Sequence, residues 1–157
     1  MLTCTFGEIL QAPIDDINSL RMPLAKKVYY EWYHLYVYQN THTSEMLYVG
    51  RSYTPLQRLR EHVSQNCSTI DCYINQHKPA CYEWLVFLFT VEQCDQLVRD
   101  YLPAQHEYFL KASTRRAMET AEKALIAHYW PRYNVQGRYH MRSHRYFTRP
   151  LARRDTL

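Results

Sequence analysis

Two short apolar and aromatic runs, His34-Leu35-Tyr36-Val37-Tyr38 and Leu47-Tyr48-Val49-Gly50, flank a polar stretch from Gln39 to Glu45. Such a pattern predicts a β-hairpin, with strands at about 29–38 and 46–51. Thr54-Pro55-Leu56-Gln57 then opens a helix running to about Val63. Thr54 is placed as N-cap, Pro55 at the first helical position and Gln57 to close a capping box. The dense β-branched and aromatic run from Tyr82 to Phe89 predicts a central third strand. Helices follow at about 91–101, 104–112 and 114–130, the last ended by Pro131. The expected fold class is α+β, a small three-stranded antiparallel sheet flanked by helices. Residues 1–28 are expected to form an N-terminal arm, 29–137 a compact domain and 138–157 a basic, arginine-rich tail.

Helical geometry sorts the polar residues of these segments. Arg58 and His62 lie four apart and project from one helix face. In the last helix Met118, Glu122, Leu125 and Tyr129 follow the i, i+4, i+7, i+11 spacing, which puts Glu122 on the stripe facing the interior. Glu119 is expected to pair with Lys123 on an outer face. A carboxylate on an apolar stripe must be paired or metal-bound to offset its desolvation. The residues leave two readings, an internal salt bridge to an arginine or a metal ligand.

The ordered set resembles a known family. Leu35-Tyr36, then Tyr48-Val49-Gly50, then Arg58 and His62, then Ala121-Glu122-Lys123-Ala124-Leu125-Ile126 and Trp130-Pro131-Arg132-Tyr133-Asn134 are together similar to the GIY-YIG nuclease domain, over roughly residues 30–137. A multi-part pattern of this kind is far more specific than any one element. The chain departs from the pattern at His34, where the family has glycine, and this leaves Tyr38 as a rival to Tyr36 for the first motif tyrosine.

The resemblance implies a metal-dependent phosphodiesterase, and with only an arm and a basic tail beside the domain a small stand-alone enzyme of restriction or phage type is the leading expectation. Glu122 would hold one Mg²⁺, with Mn²⁺ as a substitute, and the resemblance makes the metal ligand the better of its two readings. Arg58 would clamp the scissile phosphate through a forked guanidinium. Tyr36 would orient or deprotonate the attacking water, helped by Tyr48, His62 and Arg51. A free phenol has a pKa of about 10, so a nearby cation or hydrogen bond must lower it, or Tyr36 stays neutral and only positions the nucleophile. His62 could be a base, a proton relay, a phosphate contact or a partly exposed helix histidine. Asn134 would most simply fix the chain end to the sheet through side-chain hydrogen bonds to backbone. Gly50, closing a strand, permits close backbone approach or positive φ.

Charge points the same way. The net charge is +4, but from Arg132 to Leu157 seven arginines face one acid, Asp155, so this end carries +6 and residues 1–131 sum to −2. Arg132, Arg138, Arg142 and Arg145 are candidate nucleic-acid contacts, since neutralising phosphates releases counterions. A solvated tail is the blander alternative. The expected partner is DNA, duplex or single-stranded; a binding module that keeps the fold without cleaving, or an RNA-directed nuclease, are the other readings. A homo-oligomer would let two sites cut both strands. The absence of a long apolar run or signal-peptide pattern points to a cytoplasmic protein. The five cysteines, odd in number and without a C-x-x-C pair, suit reduced thiols. Cys67, Cys72, His77 and Cys81 crowd one stretch, for which loop packing and a structural zinc are the alternatives.

Overall fold

The computed structural model describes residues 1–11 and 33–134. Strand β1 (Leu2–Thr5) and helix α1 (Phe6–Gln11) come first. The hairpin β2 (Tyr33–Gln39) and β3 (Met46–Arg51) leads to α2 (Pro55–Ser64) and α3 (Thr69–Gln76). β4 (Leu85–Thr90) precedes α4 (Asp95–Tyr101), α5 (Pro103–Lys111) and α6 (Thr114–Tyr129). The chain is α+β, with an antiparallel sheet in the order β1-β4-β2-β3.

The sheet has four strands where three were expected. Leu2–Thr5 pairs antiparallel with β4, from Leu2 opposite Leu88 to Thr5 opposite Leu85, so the expected arm begins inside the sheet. Phe6 and Ile9 of α1 are buried in the same core. The arm from residue 12 to 28, the first residues of the expected strand at 29–38, the end of the expected domain at 135–137 and the tail at 138–157 lie outside the described residues.

Helices cover both sheet faces, so β2 and β4 read as nearly unbroken apolar runs rather than as alternating ones. Tyr36, Tyr38, Val86 and Leu88 pack on one side with α1, α2 and α3. Leu35, Val37, Val49 and Phe89 pack on the other with α4 and α6. Each large side chain buried in this way contributes about 1.5–3 kcal/mol. A bulge in β3 breaks the alternation: Tyr38 faces Tyr48 but Gln39 faces Met46, so Leu47 is the extra residue and buries on the same side as Tyr48. Bulges re-aim side chains in this way.

Two local expectations change. Thr54 makes no side-chain cap; its own N–H is bound by Ser52 Oγ at 3.0 Å, and Gln57 reaches Glu61 instead of closing a box. A capping box forms at α3, where Ser68 Oγ accepts from the Asp71 N–H and the Asp71 carboxylate accepts from the Ser68 N–H. α3 lies between the expected helix ending at about Val63 and the expected strand from Tyr82, where no element was predicted.

Candidate active site

The site is built on the hairpin and the helix that follows it. Tyr36 from β2 and Tyr48 from β3 lie on one sheet face, ring centroids 6.2 Å apart, and the His62 ring from α2 sits 6.1 Å from Tyr36 and 5.6 Å from Tyr48. Tyr36 stands opposite Gly50 in the β2–β3 register. Its ring crosses directly over that glycine, so that a Cβ there would meet Tyr36 Cε2 and the hydroxyl oxygen at 2.5 Å. Gly50 has no positive φ; close approach is what requires it.

The Tyr36 hydroxyl lies 3.3 Å from His62 Nε2, and His62 Nδ1 lies 2.5 Å from Asp71 Oδ1. His62 is not a partly exposed helix histidine, for it is 1% exposed and Asp71 2%. Burial lowers the His62 pKa despite the Asp71 carboxylate beside it, and a ring so placed is neutral near pH 7. Burial opposes ionisation of Asp71 as well, yet the hydrogen bonds from His62 and Ser68 outweigh it and hold that carboxyl below its ordinary range. Tyr36 is buried too, and desolvation raises its pKa well above the ordinary phenol value, with the Arg58 charge pulling the other way. Asp71 is the one member of this chain of contacts that sequence reasoning missed. Its only signal was Ser68-x-x-Asp71, a capping-box spacing.

Tyr38, the rival for Tyr36, stacks on it at 5.3 Å and is fully buried, and its hydroxyl has no hydrogen-bond partner among the described residues. His34 is the extra residue at a second irregularity, between Tyr33 and Leu35. It lines a cavity of about 580 Å³ with Val91, Phe109 and Thr114, while its carbonyl accepts from the Ser52 N–H at 2.8 Å.

The charged groups surround the tyrosines. Arg58, one turn before His62, is held by Glu61 at 2.8 Å and remains 42% exposed. Glu122 comes from α6, and its Oε2 accepts from Arg51 Nε at 2.8 Å. The same guanidinium reaches Glu119 at 3.3 Å. Glu119 therefore turns toward Arg51 and Arg115 rather than Lys123, drawn by the strand-end cation that both carboxylates share. Burial raises the Glu122 pKa, with Arg51 opposing, and its charge bears on both Tyr36 and Tyr48. Asn134 binds β3 on its open edge: its Oδ1 accepts from the Val49 N–H and its Nδ2 donates to the Val49 carbonyl, both at 2.7 Å. Trp130, in the left-handed region at φ 49°, makes the turn that brings this segment back.

Arg132 spreads over the Tyr73 and Tyr133 rings at 5.8 and 5.4 Å and reaches Glu45 at 3.5 Å. Arg138, Arg142 and Arg145 lie outside the described residues. Cys67 and Cys72 are exposed and Cys81 buried. No group of three or more His, Cys, Asp or Glu side chains able to hold a metal occurs among the described residues, and no helix there is long and apolar enough to cross a membrane.

The hairpin, glycine, arginine–histidine helix face and closing asparagine are the arrangement expected of a phosphodiester-cleaving class. The family model of the GIY-YIG catalytic domain matches residues 32–134, and the chain belongs to that nuclease family. No curated protein and no solved structure matches it.

Proposed function

We propose that the protein is a Mg²⁺-dependent DNA endonuclease of restriction or phage type, hydrolysing phosphodiester bonds at the Tyr36–Tyr48–His62 cluster. The observation that carries this reading is the convergence on one sheet face of a phenol, an imidazole and a guanidinium from motif positions, beside a carboxylate whose charge bears on both tyrosines.

Glu122 is the residue that would hold the metal. Mg²⁺ keeps several waters and takes one or two carboxylates plus phosphate oxygens, so a single carboxylate that is 22% exposed fits it, and zinc-type clusters are not needed. The bound ion would offset the charge on the phosphate oxygens. Arg51 steadies Glu122 and competes for the same oxygen. Arg58 contributes a permanent charge at a partly exposed position, suited to a non-bridging phosphate oxygen. Tyr36 carries its proton in the resting protein and must hand it on before its oxygen can accept one from water. His62 Nε2 is the acceptor in hydrogen-bonding reach. The basic tail supplies sequence-independent attraction for the DNA backbone, and cutting both strands calls for two subunits or two successive nicks.

Glu122→Gln tests the reading. It should lower cleavage by about 10³-fold or more, the several kcal/mol a metal's charge supplies, while DNA affinity measured by fluorescence anisotropy stays near wild type. A variant that cuts at the wild-type rate would refute the assignment, and parallel assays on duplex DNA, single-stranded DNA and RNA fix the substrate.

A further inference from the structure

Asp71 does two things with two oxygens. Oδ2 accepts from the backbone N–H groups of Cys67 and Ser68 at 3.1 and 2.9 Å, which closes the cap of α3. That task needs only one oxygen. The other, Oδ1, is aimed at His62 Nδ1 inside the protein. An ionised carboxylate can only accept, so Nδ1 must carry the proton. A neutral imidazole has a single N–H, which leaves the Nε2 lone pair facing the Tyr36 hydroxyl. Among the described residues, the groups around His62 are Tyr36 and Tyr38 from β2, Tyr48 from β3, Asp71 from α3, and Arg58 and Glu61 from its own helix. Among the hydrogen bonds these make to the ring, Tyr36 is at Nε2 and Asp71 at Nδ1.

We propose that Asp71 is a positioning residue that locks His62 in the Nδ1–H tautomer, so that Nε2 takes the Tyr36 proton during phosphodiester hydrolysis. This rests on the nuclease reading above and adds to it a residue outside the family's motif positions. As the water oxygen bonds to phosphorus, its proton passes to the Tyr36 oxygen while the Tyr36 proton passes to His62 Nε2. The bond from phosphorus to the 3′ oxygen breaks. An imidazolium is left beside the Asp71 carboxylate, which stabilises it, and the extra proton leaves to the departing 3′ oxygen or to solvent. The products are a 5′-phosphate and a 3′-hydroxyl, and nothing is oxidised or reduced.

Asp71→Asn separates positioning from capping. The Cys67 and Ser68 N–H groups still demand an acceptor, so the amide carbonyl takes the Oδ2 position and the NH₂ group turns toward His62 Nδ1. The cap survives, but the ring is forced into the Nε2–H form, which donates to Tyr36 instead of accepting. Two measurements on the full chain follow: ¹⁵N NMR of the His62 ring, and kcat and KM for cleavage of a fluorescent DNA duplex with Mg²⁺. Expected are an Nδ1–H ring in the wild type, an Nε2–H ring in Asp71→Asn, and a kcat lower by about 10²–10⁴-fold, the usual contribution of a positioned acid or base, with little change in KM. Ser68→Ala, which removes part of the cap and leaves the carboxylate with the Cys67 and Ser68 N–H groups, should lower the Tm while the His62 ring stays in the Nδ1–H form. The proposal is overturned if the wild-type ring is Nε2–H, or if Asp71→Asn switches tautomer and still cleaves at the wild-type rate. Should Asp71→Asn fail to fold, the wild-type ring decides by its tautomer. Wild-type protein that cuts no nucleic acid overturns the nuclease reading itself, an outcome distinct from an active wild type with an equally active Asp71→Asn.

Discussion

A methyl group at position 50 would land 2.5 Å from the Tyr36 hydroxyl oxygen, and the ring has little room to yield between Tyr38, Tyr48 and His62. Overpacking of this kind costs about 1–3 kcal/mol. Gly50→Ala should lower the unfolding free energy measured by urea titration by that amount, and it should cut the cleavage rate by roughly 10²-fold, because a catalytic group displaced by about 1 Å loses that much. Unchanged stability and rate would mean that the tyrosine is not held where it stands. Gly50 was legible from sequence as a strand-closing glycine, but the choice between close approach and positive φ needed the register. Asp71 was not legible as a partner of His62. Nine residues and a change of helix separate the two, and no periodicity links positions on different helices.

Among the elements, β3 is one edge of the sheet, and an uncovered edge strand presents unpaired N–H and C=O groups. The segment after α6 covers that edge with backbone bonds from Arg132 and Tyr133 to Met46 and Leu47, followed by the paired side-chain bonds of Asn134 to Val49. Asn134 thus stands in for a missing strand residue, one donor and one acceptor at once. Asn134→Ala leaves both Val49 groups without those partners and should cost about 1–3 kcal/mol. Asn134→Asp, which can accept but not donate, should fall between alanine and wild type in urea titrations. Equal stability of all three proteins would deny the edge-covering role. The hairpin, α2 and the last three helices could be placed from pattern because each is long enough, or punctuated clearly enough by proline, to show its period. β1 and α3 could not. Four residues are too few for alternation to stand out in β1, and α3 carries its signal only in the Ser68–Asp71 cap.

For the whole molecule, the sequence showed a basic end and a set of motif residues spread over nearly the full domain, while the fold shows how they meet. α6 brings Glu122 to the strand end where Arg51 lies, a contact across 71 residues that no local pattern contains. The Arg51–Glu122 pair is the salt bridge foreseen as the alternative to a metal ligand, and the two readings combine if Arg51 holds the carboxylate until substrate and ion arrive. Purified protein incubated with supercoiled plasmid and with single-stranded DNA, in Mg²⁺, Mn²⁺ or EDTA, tests the nuclease assignment most directly. Metal-dependent nicking or linearisation with 5′-phosphate and 3′-hydroxyl ends is the predicted result. DNA left intact under every divalent condition would contradict it and leave a nucleic-acid-binding module with the nuclease fold.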